Sequence, residues 1–460
     1  MKRSAVVLGV FSLAICMTSA AFAVGFDFPR GEIPLVEPGF TAFNQDEPQV
    51  AFDMDGNAHA VWEDDRSTAT FHMFGRSVLS DGGLTPSYRV YQGPEPETHL
   101  FPFVFKSDVS SNEMYGFTID ITSSPNILYA AEYDLTTLPS PPAMTDLSGN
   151  TLFNPVGVDY FDMIEGMGYV FYVYKENGVD HLYVGGFEQS SNSWMAINQE
   201  VTAPMNYRFE NPRLAMDDAG YIYLAYDRMQ TLPPPGWSLM VRRSVNPLDV
   251  GGGFYGERYI EGSFAMTYNP VLAVTGSAPS DLRVAVAYFN DDFVNATVGC
   301  TMEMNGDWVG AGTWSGTPVQ TLNSFTSTGL NVSGPEMAYD ADKNLYVVWT
   351  DSRLAYMEFF GNYSLDGGST FQTSDIRIAA GLQDVVGNFS MATGPNPGDI
   401  ALAYIRDTGF GNYPNMLYSG AALFDSCDQD PAGTGKWNSW AGITVDSSIY
   451  WSDPASYRFD

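Results

Sequence analysis

The sequence predicts an all-β fold, a seven-bladed β-propeller of four-stranded antiparallel blades, and three observations carry that expectation. One strand–turn–strand pattern recurs seven times along the 460 residues, at spacings of 53 to 65. The composition, with 45 Gly, 28 Pro, 14% aromatic and only 16% charged residues, suits many short strands joined by tight turns. No segment keeps a 3.6-residue apolar period over three turns, so helices are not expected.

Taken in chain order, the first element is a leader. Lys2 and Arg3 precede an apolar run that ends in Ala21-Phe22-Ala23, a small-x-small cleavage pattern. The run is short and lacks a basic stop-transfer flank, so a secretory signal (1–23) cleaved near Ala23 is expected rather than a membrane anchor. The mature chain is therefore expected outside the cell or in a periplasm. Residues 24–43 read as a lead-in and 44–460 as one propeller domain.

The blades are expected at about 44–97, 98–150, 151–204, 205–265, 266–328, 329–385 and 386–450, boundaries of this kind carrying errors of a few residues. Each opens with a short strand (A) after Pro or Asn, whose apolar anchor falls at Ala51, Phe105, Val158, Ala215, Ala273, Ala338 and Ala392. A Gly/Asp/Asn turn such as "DMDGN" or "DADKN" leads to an alternating strand (B) such as "AHAVW" or "LYVVW". A third strand (C), as in "EFFGNYS", and a fourth (D), as in "DIRIAAG", complete the unit. An array of β-sandwiches would repeat too, but equal units without linkers favour a closed ring.

The hairpin between strands C and D carries a family resemblance. "SLDGGSTF", Ser364 to Phe371, matches the Asp-box at every defined position, and Ser80–Thr85 and Ser244–Phe254 look like decayed copies. On these motifs the chain resembles the sialidase-like, BNR-repeat propeller superfamily over nearly all its mature length. The resemblance implies a propeller scaffold, with a six-bladed sialidase-like ring as the alternative to seven blades. It does not by itself imply activity, because Asp-boxes occur in glycosidases, lectin-like proteins, assembly factors and receptors.

Charge narrows the partners. Lys and Arg number 21 against 54 Asp and Glu, a formal net charge of −33, and loss of Lys2 and Arg3 makes it −35. Such a field repels nucleic acid and anionic membranes. No later segment is apolar enough to insert in a membrane. Of the cysteines, Cys16 leaves with the signal, and Cys300 and Cys427 fall in non-adjacent units, so a buried free Cys300 is expected.

Two recurrent motifs carry side-chain chemistry. Asp53, Asp55 and Asn57 cluster oxygens that suit a structural calcium, though an EF-type loop is incomplete and ordinary hairpin chemistry explains them too. No other cofactor is expected. The "WEDDR" pattern recurs as Trp62-x-Asp64-x-Arg66, Tyr226-Asp227-Arg228, Trp349-x-Asp351-x-Arg353 and Arg406-Asp407, which points to Asp–Arg pairs closing each blade.

Functional residues should instead break the repeat. On the face of the B–C and D–A loops the departures are Glu97 and His99 before blade two, Tyr207, Arg208 and Glu210 before blade four, and Trp237 beyond an extended loop. Aromatics beside carboxylates suit sugar rings. His99, Arg208, Trp237, Arg66 and Arg353 are thus the expected ligand-binding residues. If the resemblance extends to catalysis, it implies an arginine clamp of Arg66, Arg208 and Arg353, a Tyr207 or Tyr268 nucleophile with Glu210 or Glu97, and Asp64 as the acid. Against this, the Arg-Ile-Pro motif is missing, Arg30 standing out of context, and seven blades are counted where sialidases have six. The sequence therefore favours a secreted, non-catalytic module that binds a glycan or an extracellular protein. A sialidase-like extracellular glycoside hydrolase is the alternative.

Overall fold

The computed structural model describes residues 45–419 with short breaks, preceded by 26, 28 and 32–37 and followed by 443–446 and 456–459. The breaks are 67–70, 92–97, 123–124, 153–157, 177–179, 196–198, 233–235, 264–267, 279, 292–295, 307, 309–312, 325–331, 355–356, 379–384 and 408–411. The signal-like leader, Glu97 and Cys427 lie outside the described residues.

Seven antiparallel sheets follow one another in the chain. Their A strands are Gln45–Phe52, His99–Lys106, Val158–Gly166, Tyr207–Met216, Val271–Thr275, Val332–Tyr339 and Val385–Thr393. Each pairs with its B strand, which pairs with C, and D lies outermost. In blade one, for example, Ala51 stands opposite His59 and Trp62 opposite Phe74. The helical segments among the described residues are two single 3₁₀ turns, Leu135–Thr137 and Gln189–Ser191. The fold is thus an all-β propeller of seven four-stranded blades.

The core is distributed between blades, because each sheet buries both faces. The B strands show it most plainly: Ala58–Asp64 and Leu345–Asp351 are buried at every position. Seven apolar clusters fill the seven gaps. Phe103, Tyr115, Phe161 and Tyr172 join blades two and three, and Val298, Cys300, Val347 and Trp349 join blades five and six. Cys300 is free and fully buried, as expected from its apolar neighbours. The ring closes through Val50, Trp62 and Phe74 of blade one against Ala401, Ala403 and Met416 of blade seven.

Closure is where the structure departs from the expected blade seven. Its outermost strand is Glu32–Pro34, from the lead-in, paired with Asn415–Leu417 of strand C. The alternation in "EIPLV" explains the fit: Ile33, Leu35 and Val36 are buried, while Glu32 reaches Arg406. A blade that joins Glu32–Pro34 to Asn412–Tyr418 needs no separate latch, since opening it would expose two strand edges at once.

The anchors Ala51, Phe105, Ala215, Ala273, Ala338 and Ala392 occupy one register, each two or fewer pairs from the A–B turn. Val158 does not. It stands opposite Glu176 at the far end of its strand, and Ile164, opposite Phe171, takes the anchor position. The two-residue Met167–Gly168 turn in blade three, shorter than the "DMDGN" type, hid this six-residue offset.

The turn chemistry is scaffold. Asp53 Oδ1 accepts from the amides of Asp55 (2.9 Å) and Asn57 (2.8 Å), while Oδ2 accepts from Asn57 Nδ2 (2.7 Å) and meets His59 Nε2 (3.0 Å). Asp217 and Asp340 repeat the arrangement in blades four and six. Both oxygens of the would-be calcium ligand Asp53 are thus engaged by its own hairpin, and among the described residues no group of three or more His, Cys, Asp or Glu is placed to hold a metal.

In the Ser364–Phe371 hairpin, Ser364 Oγ donates to Asp366 Oδ1 (2.7 Å), and Thr370 donates through N (2.8 Å) and Oγ1 (2.7 Å). Gly367 and Gly368, at φ of 72° and 100°, occupy backbone that other residues rarely adopt. Although burial pushes the Asp366 carboxyl up, the bonds from Ser364 and Thr370 win and hold it below its usual value. Asp366→Ala is expected to cost about 1–2 kcal/mol, visible as a lower Tm, with ligand affinity unchanged. Loss of binding at unchanged Tm would contradict a purely structural role.

Candidate functional site

A Pro-centred kink is built into the inner strand of most blades. Four strands carry a register shift there, between Asp46 and Gln49, Leu100 and Phe103, Glu210 and Arg213, and Ser333 and Glu336, and blade seven shifts between Val386 and Phe389 without a proline. Proline lacks an N–H for the ladder, so the strand bulges around it. The residue before Pro adopts left-handed backbone at Glu47 (φ 46°), Phe101 (56°), Asn211 (50°) and Asn269 (43°). Asn tolerates this region, but for Glu and Phe it costs of order 1–3 kcal/mol and persists only where the surroundings demand it.

These kinks aim two tiers of side chains at the axis. The upper tier is Glu47, Phe101, Tyr160, Asn211, Asn269 and Gly334, which together with Phe161 and Phe389 line an axial cavity of about 350 Å³. The lower tier, two residues on, is Gln49, Phe103, Asp162, Arg213, Val271, Glu336 and Ser390. A second cavity of about 400 Å³ opens below it toward the A–B turns. Arg213 spans the axis from blade four, with Nη1 3.5 Å from Asp162 of blade three and Nη2 3.4 Å from Glu336 of blade six. Its guanidinium is the floor of the upper cavity.

The electrostatics around this mouth are unusual for so acidic a protein. Burial drives the Glu336 carboxyl up to about 7 despite Arg213, and it raises Asp162 as well. Burial would by itself lower Arg213, yet Glu336 and Asp162 hold it above its ordinary value. At the blade-one edge, Glu63 lies 5% exposed and accepts a hydrogen bond from the Phe101 amide at 2.8 Å. Burial, then the neighbouring Glu47, push Glu63 up to about 9, and burial with Asp46 pushes Glu47 up to about 7.

At the opposite edge, Lys175 Nζ sits 3.2 Å from Asp159 and 3.0 Å from Glu210, and 5.5 Å from the centre of the Tyr160 ring. Asp227 is fully buried. Its Oδ2 accepts from Asn211 Nδ2 (2.8 Å) and the amides of Tyr268 (3.0 Å) and Asn269 (3.2 Å), and burial still pushes it up to about 7. Glu63, Lys175 and Asp227 occupy the same place in their B strands, four residues beyond the partner of the anchor.

The expected site residues divide accordingly. Asp64 is fully buried and accepts from Trp62 Nε1 (3.0 Å), Arg66 N (2.8 Å) and Arg66 Nε (2.8 Å). Arg66 also lies 4.4 Å from the centre of the Phe74 ring. Asp351 and Arg353 repeat the pair, with Arg353 over Phe360 at 3.8 Å. These clamps tie B–C loops to their own blades and do not line the axial cavity. Asp227, grouped with them by sequence, sits one residue earlier than Asp64 and Asp351 and braces blade five instead.

Glu210 does stand beside the mouth, held by Lys175 and by Arg208 Nε at 3.0 Å. Tyr207 lies farther out, with Arg228 4.8 Å above its ring. Trp237 begins strand C of blade four and packs on the cluster between blades four and five. His99 begins strand A of blade two opposite Asp120. Arg66, Arg208, Arg353, Tyr207 and Trp237 are therefore not gathered into one pocket.

Of the residues that are gathered there, Glu47, Phe101, Arg213 and Glu336 escaped notice because they flank the repeated Pro, and Tyr160 because it lies in the blade whose register was misplaced. A signal was present: in "EPQ", "FPF", "NPR", "NPV" and "GPE" the proline repeats while its neighbours do not.

Neither a family model nor a curated protein matches the sequence. Among solved structures, a Dyadobacter fermentans protein of unknown function shares 10% identity over 85% of this chain and 98% of its own, with a TM-score of 0.45. The polysaccharide lyase Uly1 shares 12% identity over 80% of this chain and 89% of its own, with a TM-score of 0.50. The GH93 alpha-L-arabinofuranosidase of Fusarium graminearum, solved with arabinobiose, shares 11% over 85% and 97%, with a TM-score of 0.45. At such identities the likeness is one of fold. Seven four-stranded blades closed around one axis make this protein a β-propeller, and the likeness to Uly1 over 80% of the chain is a likeness of fold.

Proposed function

We propose that the axial mouth binds a saccharide and that the chain is an exported carbohydrate-recognition propeller. One observation carries the reading: a single cavity of about 350 Å³ combines the rings of Phe101, Tyr160, Phe161 and Phe389 with the carboxyls of Glu47, Asp159 and Glu336 and the amides of Gln49, Asn211 and Asn269. Sugar rings offer apolar faces rimmed with hydroxyls, and such a lining meets both demands. The leader-like residues 1–23 support export, and among the described residues no helix is long and apolar enough to cross a membrane.

Glycoside hydrolysis is the second reading, and the state of the carboxyls favours it. A general acid must hold its proton near neutral pH, and Glu63, Glu47 and Glu336 are each pushed into or above that range. The same fold carries a polysaccharide lyase, so the scaffold accommodates polysaccharide chemistry. Nothing on Arg66 or Arg353 adds to either reading, since both are consumed by their blades.

The test uses residues 24–460 on a glycan array and a hydrolase panel, followed by calorimetry. Tyr160→Ala is expected to weaken a bound saccharide roughly 5- to 150-fold, the equivalent of about 1–3 kcal/mol, with Tm little changed. Turnover abolished by Glu63→Gln or Glu336→Gln would make the chain a hydrolase. Saccharide binding indifferent to Tyr160→Ala and Glu336→Gln would move the site away from the mouth and overturn the reading.

A further inference from the structure

The position before the repeated proline differs from blade to blade, except that two neighbours share asparagine. It reads Glu47, Phe101, Asn211, Asn269 and Gly334 in blades one, two, four, five and six. Asn211 and Asn269 meet at one buried carboxylate. Asp227 Oδ2 accepts from Asn211 Nδ2 at 2.8 Å and from the Asn269 backbone amide at 3.2 Å. With Nδ2 committed to Asp227, the Asn211 amide leaves Oδ1 for the cavity that it lines, and Oδ1 has no partner among the described residues. The side-chain amide of Asn269, exposed on the same wall, is wholly unengaged among them. Asp227 itself breaks the repeat: its equivalents in blades two, five and seven are Ile119, Phe289 and Ile405.

Beside Asn269 the wall is notched. Blade six carries Gly334 where the other four carry a side chain, and a methyl group on its Cα would lie 3.6 Å from Asn269 Cβ. The missing side chain leaves a recess against Asn269, flanked by Pro270 and Pro335, which line the same cavity. The wall thus offers a fixed acceptor, a free amide and an apolar recess. The cations of the mouth are countered, Arg213 by Asp162 and Glu336, Lys175 by Asp159 and Glu210. An anionic group would find no free base there, and the carboxyls would repel it. A hydroxyl would engage one amide and leave the recess wet. An acetamido group uses all three features, because its N–H donates, its carbonyl accepts and its methyl fills an apolar space. A site of this kind discriminates well, since an analogue without the group leaves polar atoms of the wall unpaired.

We infer that this side of the mouth selects an N-acetylated amino sugar, whose acetamido group donates to Asn211 Oδ1, accepts from Asn269 Nδ2 and seats its methyl at Gly334. This rests on the saccharide reading above and names its ligand class. Asp227 touches no ligand. It is a positioning residue that sets the Asn211 amide.

The experiment is the glycan array on residues 24–460, then calorimetry with three β-1,4-linked tetramers, of N-acetylglucosamine, glucosamine and glucose. The N-acetylated tetramer is expected to bind roughly tenfold tighter, or more, than either of the others. Asn211→Ala and Asn269→Ala should each shrink that ratio. So should Gly334→Val, which fills the recess without removing a polar atom. Binding of the glucose tetramer should survive in all three variants, which also shows that they are folded. Asp227→Ala is expected to lower Tm whatever its role, so its readout is the ratio, which should fall as it does for Asn211→Ala. Array hits confined to acetamido sugars support the inference. Equal or tighter binding of the glucose or glucosamine tetramer overturns it, as do array hits without an acetamido group or a ratio indifferent to Asn211→Ala, Asn269→Ala and Gly334→Val. Each of those outcomes leaves saccharide recognition standing. A blank array with all three tetramers silent defeats both.

Discussion

Deleting residues 26–37 is expected to abolish the cooperative melting transition of the protein. The segment supplies the outer strand of blade seven and buries Ile33, Leu35 and Val36, at 7%, 0% and 3% exposure. Burial of an aliphatic side chain is worth about 1.5–3 kcal/mol, so the three contribute roughly 5–9 kcal/mol as an upper estimate. That is comparable to the whole stability of a typical fold. The deletion also removes Glu32, the partner of Arg406, and bares the edge of Asn412–Tyr418. Denaturant unfolding followed by near-ultraviolet circular dichroism is the measurement, and Ile33→Asp is the point-substitution counterpart. A truncated chain that still unfolds cooperatively, within a few degrees of the intact one, would show that another segment closes the ring.

Glu303→Gln should be the most damaging conservative change away from the closure. Glu303, on strand C of blade five, is 1% exposed and lies 2.8 Å from Arg258 on strand D of blade four, which is itself 3% exposed. Ser315 donates to the same carboxylate, and the face of Trp308 stands 4.0 Å from the guanidinium. Removing one charge from a buried pair leaves the other without compensation, at a cost of about 3–5 kcal/mol. The double change Glu303→Leu with Arg258→Met removes both charges and should be less destabilising than Glu303→Gln alone. Chemical denaturation of the three proteins decides it, and a single variant milder than the double would refute the argument.

The two effects differ in how they could be foreseen. Nothing in "EIPLV" distinguishes a closing strand from an ordinary lead-in, because pairing with Asn415–Leu417 is a contact nearly four hundred residues away in sequence. The Arg258–Glu303 rivet joins neighbouring blades, but neither residue belongs to a repeated motif, so no periodicity reveals it.

Blade number, strand polarity and the scaffold role of the hairpin aspartates were legible from the amino-acid sequence alone. Each follows from chemistry confined to about five to ten consecutive residues: strand alternation, turn-forming Asp and Gly, and the Ser364–Asp366–Thr370 hydrogen bonds. Repetition then multiplied a weak local signal sevenfold. Register in blade three was not legible, because a shorter turn there moved the anchor from Val158 to Ile164. Nor was the candidate site. Reading the irregular loops as functional brought Arg208 and Glu210 near the mouth, but it missed the residues beside the repeated prolines. Those side chains come from five blades, with Tyr160 and Asp162 from a sixth, and only closure of the ring brings Arg213 against Asp162 and Glu336, or sets Glu63 under Glu47 and Phe101. Their protonation, too, is a product of shared burial, which no single stretch of chain possesses.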